Sequence, residues 1–165
     1  MTDKSFSVLI AKQEHIELVL PLVLLSLKET GLFEVNESKV RNYVINALLG
    51  RGSICGIVLG NDKSVQGFVL LDISETWYSN EKVLAEREVF VHPDFRGSKG
   101  GRARALCELA KKIANSLSIP LYVGLESEGK TDAKVRLYER QFGKPTGSLF
   151  LYGAGHLKPR DAVEH

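Results

Sequence analysis

Apolar residues recur along the chain with two periods, and the switches between them outline the elements. Phe6 to Ile10 reads as a short strand. From about Gln13 to Glu29 the period is helical, with Ile16, Val19, Leu20, Val23, Leu24 and Leu27 as the main stripe. Pro21 lacks an amide donor, so it should kink this helix or open a second segment, and Gly31 should end it. A second helix follows with Ser38 as its expected N-cap and Val40, Val44, Ala47 and Leu48 on one face. Ser53 to Leu59 and Ser64 to Ile73 read as strands joined by the Gly60-Asn61-Asp62-Lys63 turn. Lys82 to Val91 is a fourth strand, ended by Pro93. A helix is predicted from about Gly100 to Leu117, a fifth strand from Ile119 to Glu126, a helix from a Thr131 cap to Phe142, and a last strand from Ser148 to Tyr152. Strands that first meander and then alternate with helices predict an α/β (α+β layered) fold, a mixed sheet with helices on both faces. One domain spans residues 1–152, and the Gly, Pro and charged residues of 153–165 predict a C-terminal tail.

Composition narrows the function classes. With 44% hydrophobic and 25% charged residues the chain reads as an ordinary globular domain, not a disordered or fibrous one. Its 165 residues can bury a core without disulfides or metal. Cys55 and Cys107 lie in apolar segments, outside any ligand spacing, and read as reduced core thiols. No metal site is expected, because His15, His92, His156 and His165 are scattered. The most apolar stretch is short of the ~20 residues needed to cross a bilayer. A cytoplasmic protein without a membrane partner is the default expectation. A net charge of +2 argues against nucleic acid as the partner.

The strongest local signal runs from Val91 to Ala103. A strand enters a loop holding Gly97, Gly100 and Gly101, and a helix begins there. A helix start offers unpaired amides and the positive end of its dipole, and glycine lets backbone approach a ligand closely. With Arg96, Lys99, Arg102 and Arg104 nearby, this is an anion site suited to a pyrophosphate. A plain glycine-rich turn with a solvated basic helix start would read the same way. Neither the Walker A ending nor the G-x-G-x-x-G spacing is present.

At these residues the chain resembles the GNAT superfamily of N-acetyltransferases, and within it the short members encoded by tailed phages. Val91, Pro93, Phe95, Arg96, Gly97 and Gly101 match the family's V-x-P-x-[FY]-[RQ]-G-x-G-x-[GA] loop. Lys99 departs, with glycine one residue later at Gly100. A second block matches at Leu137-Tyr138-Glu139-Arg140, while Thr131 replaces the usual asparagine and the closing pair is reversed as Phe142-Gly143. The resemblance implies a mostly antiparallel central sheet and transfer of an acetyl group from acetyl-CoA, as cosubstrate, to a small-molecule or protein amine. It implies cosubstrate binding by Arg96, Gly97, Ser98, Lys99, Gly100, Gly101 and Arg102. It further implies a fourth strand that splays from the fifth, so that the amides of Val89, Phe90 and Val91 face the thioester. Tyr138, at the family's tyrosine position, becomes the expected general acid for the CoA thiolate.

The chemistry also needs a base for the amine. Period-2 alternation puts Glu86 and Glu88 on one face of the fourth strand, with Leu84 and Phe90, and Arg87 on the other. Either glutamate could serve, or a water relay. His92 is a weaker candidate for the base and more naturally opens the phosphate loop. Trp77 and Tyr78 could line the acceptor pocket. The apolar Leu149 to Tyr152 segment could pair across a homodimer. A GNAT-fold protein that binds acyl-CoA for regulation and has lost catalysis is the alternative function.

Overall fold

A computed structural model describes residues 5–97, 100–125 and 132–157. Five strands form one sheet in sequence order: β1 (Phe6–Ile10), β2 (Ser53–Gly60), β3 (Val65–Glu75), β4 (Lys82–Val91) and β5 (Leu121–Tyr122). The first three pairings are antiparallel and the last is parallel. Two helices, α1 (Ile16–Thr30) and α2 (Glu37–Leu48), follow β1. The helix α3 (Arg102–Leu117) follows β4, and α4 (Asp132–Phe142) follows β5.

Alternation along the strands sorts their side chains onto two cores. Cys55, Ile57, Phe68, Leu70 and Phe90 pack against Val19, Val23, Val44 and Ala47 of α1 and α2. Val58, Val69, Leu71, Val89 and Val91 pack against Leu106, Ala110 and Ile113 of α3. The sheet is therefore covered on both faces, as its strongly apolar strands require. Gly67 of β3 is held close to the neighbouring strand: a Cβ there would meet the Phe90 carbonyl of β4 at 2.9 Å. Both cysteines are buried free thiols.

Several elements differ from expectation. Asn36, not Ser38, caps α2, its Oδ1 accepting from the Lys39 amide at 3.0 Å. Gln13–His15 form a separate 3-10 turn, and α1 then runs unbroken through Pro21, which lies on the solvent side where the missing donor is cheapest. The fifth strand shrinks to Leu121–Tyr122, with Val123 to Leu125 outside any ladder. Ser148 to Tyr152 form no strand; Phe150 is 88% exposed and Tyr152 fully so. Strand propensity there finds no neighbouring strand to pair with. Thr131 and Glu126 lie outside the described residues, as do residues 158–165 of the expected tail.

Candidate active site

The site begins as a gap in the sheet. β4 and β5 share only the pairs Leu84–Leu121 and Ala85–Tyr122. Beyond them β4 pairs with no other strand on that side among the described residues. The His92 amide donates to the Gln66 carbonyl at 2.9 Å, so the alternation of an antiparallel ladder turns the amides of Val89 and Val91 towards the gap but that of Phe90, expected there too, onto β3. The Val91 carbonyl also faces outward, where it accepts from Arg96 Nε at 2.7 Å. A cleft of about 1040 Å³ occupies the gap. Its walls come from the end of α1, the segment leading into α2, the splayed residues after β5, and α4 with the chain that follows it.

A bulge sets the carboxylates. Leu70 pairs with Glu88 but Leu71 pairs with Glu86, leaving Arg87 as the extra residue of β4. This breaks the expected alternation. Leu84 packs on the α3 face and Phe90 on the face of α1 and α2, and the two glutamates take opposite sides of the ladder. They still line one cleft, because the open side of β4 is reached from both faces.

Each glutamate meets α4. Tyr138 is buried, and its hydroxyl donates to Glu86 Oε2 at 3.1 Å. Lys134, one turn earlier on the same helix face, lies 3.2 Å from Glu88 Oε1. Burial pushes the Glu86 carboxyl up to about 7, Glu88 adds to the rise, and Lys134 and Tyr138 oppose it. Burial likewise raises the Tyr138 phenol far above its ordinary value, with the Glu86 charge adding to it. Glu86 is thus a carboxyl poised near neutrality, hydrogen-bonded to a phenol that keeps its proton. Sequence reasoning named both residues but missed that they pair with each other, and it missed Lys134 as the partner of Glu88. The helical i−4 spacing of Lys134 from Tyr138 was the available signal.

The glycine-rich loop adjoins the same strand. Gly97 and Gly101 adopt φ of 146° and 65°, and nothing lies within 4 Å of where a Cβ would sit on either. No side chain caps α3, and no acidic residue stands in its first turn. These observations fit a pyrophosphate at the helix start, with the attached arm running along the open side of β4. The cations are more committed than expected. Arg96 donates to Glu29 Oε2 of α1 at 2.6 Å and stacks on Phe90. Arg102 donates to Gln66 Oε1 at 2.8 Å and lies against Phe6 and Phe95. Ser98 and Lys99 lie outside the described residues. His92 Nδ1 accepts from the Asp94 amide, so it shapes the loop. Trp77 is 96% exposed and Tyr78 72%, and neither lines the cleft. No group of three or more metal-ligating side chains occurs among the described residues.

Solved structures share this architecture, and several are described as acetyltransferases. A ribosomal-protein-alanine N-acetyltransferase from Brucella melitensis superimposes with a TM-score of 0.69 at 17% identity, covering 90% of this chain and 98% of its own. A predicted acetyltransferase from Clostridium acetobutylicum, determined with acetyl-CoA, gives 0.69 at 16%, covering 92% and 98%. The aminoglycoside enzyme AAC(6')-Iy, in complex with the bisubstrate analogue CoA-S-monomethyl-acetylneamine, gives 0.69 at 14%, covering 89% and 96%. The fold is thus that of the acetyltransferases. The family model described as Acetyltransferase (GNAT) family matches residues 24–143, and the chain belongs to that family. Among curated proteins none matches its sequence.

Proposed function

We propose that the protein is an N-acetyltransferase that moves an acetyl group from acetyl-CoA to a primary amine by direct attack in a ternary complex. The observation that carries this reading is the partly buried Glu86–Tyr138 hydrogen bond beside the open side of β4. Acetyl-CoA supplies the thioester. The α3 start, Gly97 and Gly101 hold its pyrophosphate, and the Val89 and Val91 amides polarise the carbonyl that is attacked. Glu86 takes a proton from the attacking amine. Tyr138 gives its proton to the departing thiolate and recovers one from Glu86 through their hydrogen bond, so the amine proton ends on the thiol. Glu88, paired with Lys134, adds to the rise that burial produces in the neighbouring carboxyl.

The acceptor is a small-molecule or protein amine. The Brucella and aminoglycoside relatives carry one of each kind in their descriptions. No described helix is long and apolar enough to cross a membrane, and we place the protein in the cytoplasm. Residues 1–152 form its one domain. The exposed Leu149–Tyr152 segment is the surface through which two copies would meet. A panel of amines incubated with acetyl-CoA, read by free-thiol release, tests the activity. Release that depends on one acceptor class is expected. Bound acetyl-CoA with no release across the panel would favour the alternative, a binding or regulatory protein. That alternative draws its support from the departures from the family pattern at Lys99, Thr131 and Phe142-Gly143.

A further inference from the structure

Arg87 sits between the two glutamates in sequence and lines the same cleft, but its guanidinium pairs with neither of them. Its Nε donates to Asp72 Oδ2. Asp72 lies in β3 opposite Ala85, and its side chain is 14% exposed. The same carboxylate accepts from the Tyr43 hydroxyl of α2 at 2.5 Å and from Ser53 Oγ of β2 at 2.7 Å. Donors from α2, β2 and β4 thus converge on one anion of β3. Burial alone would raise its affinity for a proton. The hydrogen bonds from Tyr43, Arg87 and Ser53 outweigh that and hold it below the ordinary carboxylate range. The bond to Asp72 in turn raises Arg87, so the pair stays charged.

The groups facing Glu86 are Glu88 of the same strand, Lys134 and Tyr138 from α4, Cys107 from α3, and the Gly124 backbone after β5. A guanidinium swung from the bulge into this group would neutralise the carboxyl it is meant to leave basic. We propose that Asp72 is a positioning residue for the site: it ties the Arg87 guanidinium down on the α2 side of the cleft, so that the β4 bulge presents Glu86 to the cleft without that cation paired to it. Its value to catalysis rests on the reading of Glu86 as the base, although the geometry itself does not.

The test follows the Glu86 carboxyl directly, with no acceptor required. The full chain is labelled with ¹³C at the glutamate side-chain carboxyl, and the Glu86 resonance is assigned by its loss in Glu86→Gln. In Asp72→Asn its titration midpoint should fall by about one pH unit or more as the freed guanidinium reaches it. The double variant Asp72→Asn with Arg87→Gln should return the midpoint to the wild-type value, and Arg87→Gln alone should leave it there. An unmoved midpoint in folded Asp72→Asn would overturn the proposal. So would a rise of more than about half a unit in Arg87→Gln alone, since Arg87 would then already act on Glu86. That second arm decides the matter if Asp72→Asn does not fold. If the titrations behave as stated but Glu86→Gln keeps full transferase activity, the positioning stands and the assignment of Glu86 as base falls.

Discussion

At the scale of single residues, Glu86 is placed at odds with its own charge, and this has two measurable sides. Glu86→Gln should lower turnover by about 10²- to 10⁴-fold while leaving acetyl-CoA binding nearly intact. The wild-type rate should fall away on the acid side of a midpoint near 7, the value to which burial raises this carboxyl. A Gln variant with near-normal rates would assign deprotonation to water. Stability responds in the opposite sense. The folded chain keeps this proton up to about pH 7, whereas the unfolded chain releases it near 4.5. Below 4.5 both states hold it and the group costs nothing. The cost grows between those two values and is complete above the higher, with a ceiling of about 3 kcal/mol. Glu86→Gln should therefore melt above the wild type at about pH 8 and lose that advantage in acid. Tyr138 separates ring from hydroxyl. Tyr138→Phe should cut kcat by about 10²-fold with acetyl-CoA affinity kept, the mark of an interaction made in the transition state. Full activity would remove the phenol from the mechanism.

At the scale of elements, the start of α3 is the feature most open to challenge. Saturation at about 100 times the dissociation constant stabilises a fold by about 2.7 kcal/mol, which for this length raises the melting temperature by about 5–10 °C. Acetyl-CoA should produce that shift in the wild type. Gly101→Glu should abolish it, through a side chain forced into positive φ and a charge set against the phosphates. An equal shift in both proteins would move the phosphate site elsewhere. This element was legible in sequence because glycines between a strand and a helix have a local meaning. So were β1 to β4 and both sides of the sheet, whose apolar alternation is strong. The bulge at Arg87 was not. It depends on where β3 and β4 settle against each other, and no residue of Glu86-Arg87-Glu88 signals an insertion, so Glu86 and Glu88 were assigned a shared face they do not have. Leu149 to Tyr152 failed for the complementary reason. Strand propensity states what a segment can do, and only a neighbour with free amides makes it do so. Asp72 escaped because its partners Tyr43, Ser53 and Arg87 come from three other elements.

For the molecule as a whole, large apolar side chains left in solvent are scattered singly or in pairs except from Leu149 to Tyr152, where four follow one another. A chain carrying Phe150→Lys and Tyr152→Lys should sediment as a monomer where the wild type forms a dimer. Identical sedimentation of the two would place any contact between copies elsewhere. The gap between β4 and β5 has a further consequence. Val89 and Val91 have buried side chains, yet their backbone amides point away from β3, to the side of β4 where no described strand pairs with them. The interior of the sheet thus contains a margin of the kind normally found only at its rim. A bound pantetheine arm, itself a chain of amides, would take the place of the absent strand. Deuterium should record this residue by residue. In the free protein, Val89 and Val91 should exchange faster than Phe90 between them, and saturating acetyl-CoA should slow both about tenfold or more while leaving Phe90 little changed. Uniform protection of the three in the free protein would mean that the margin is already closed.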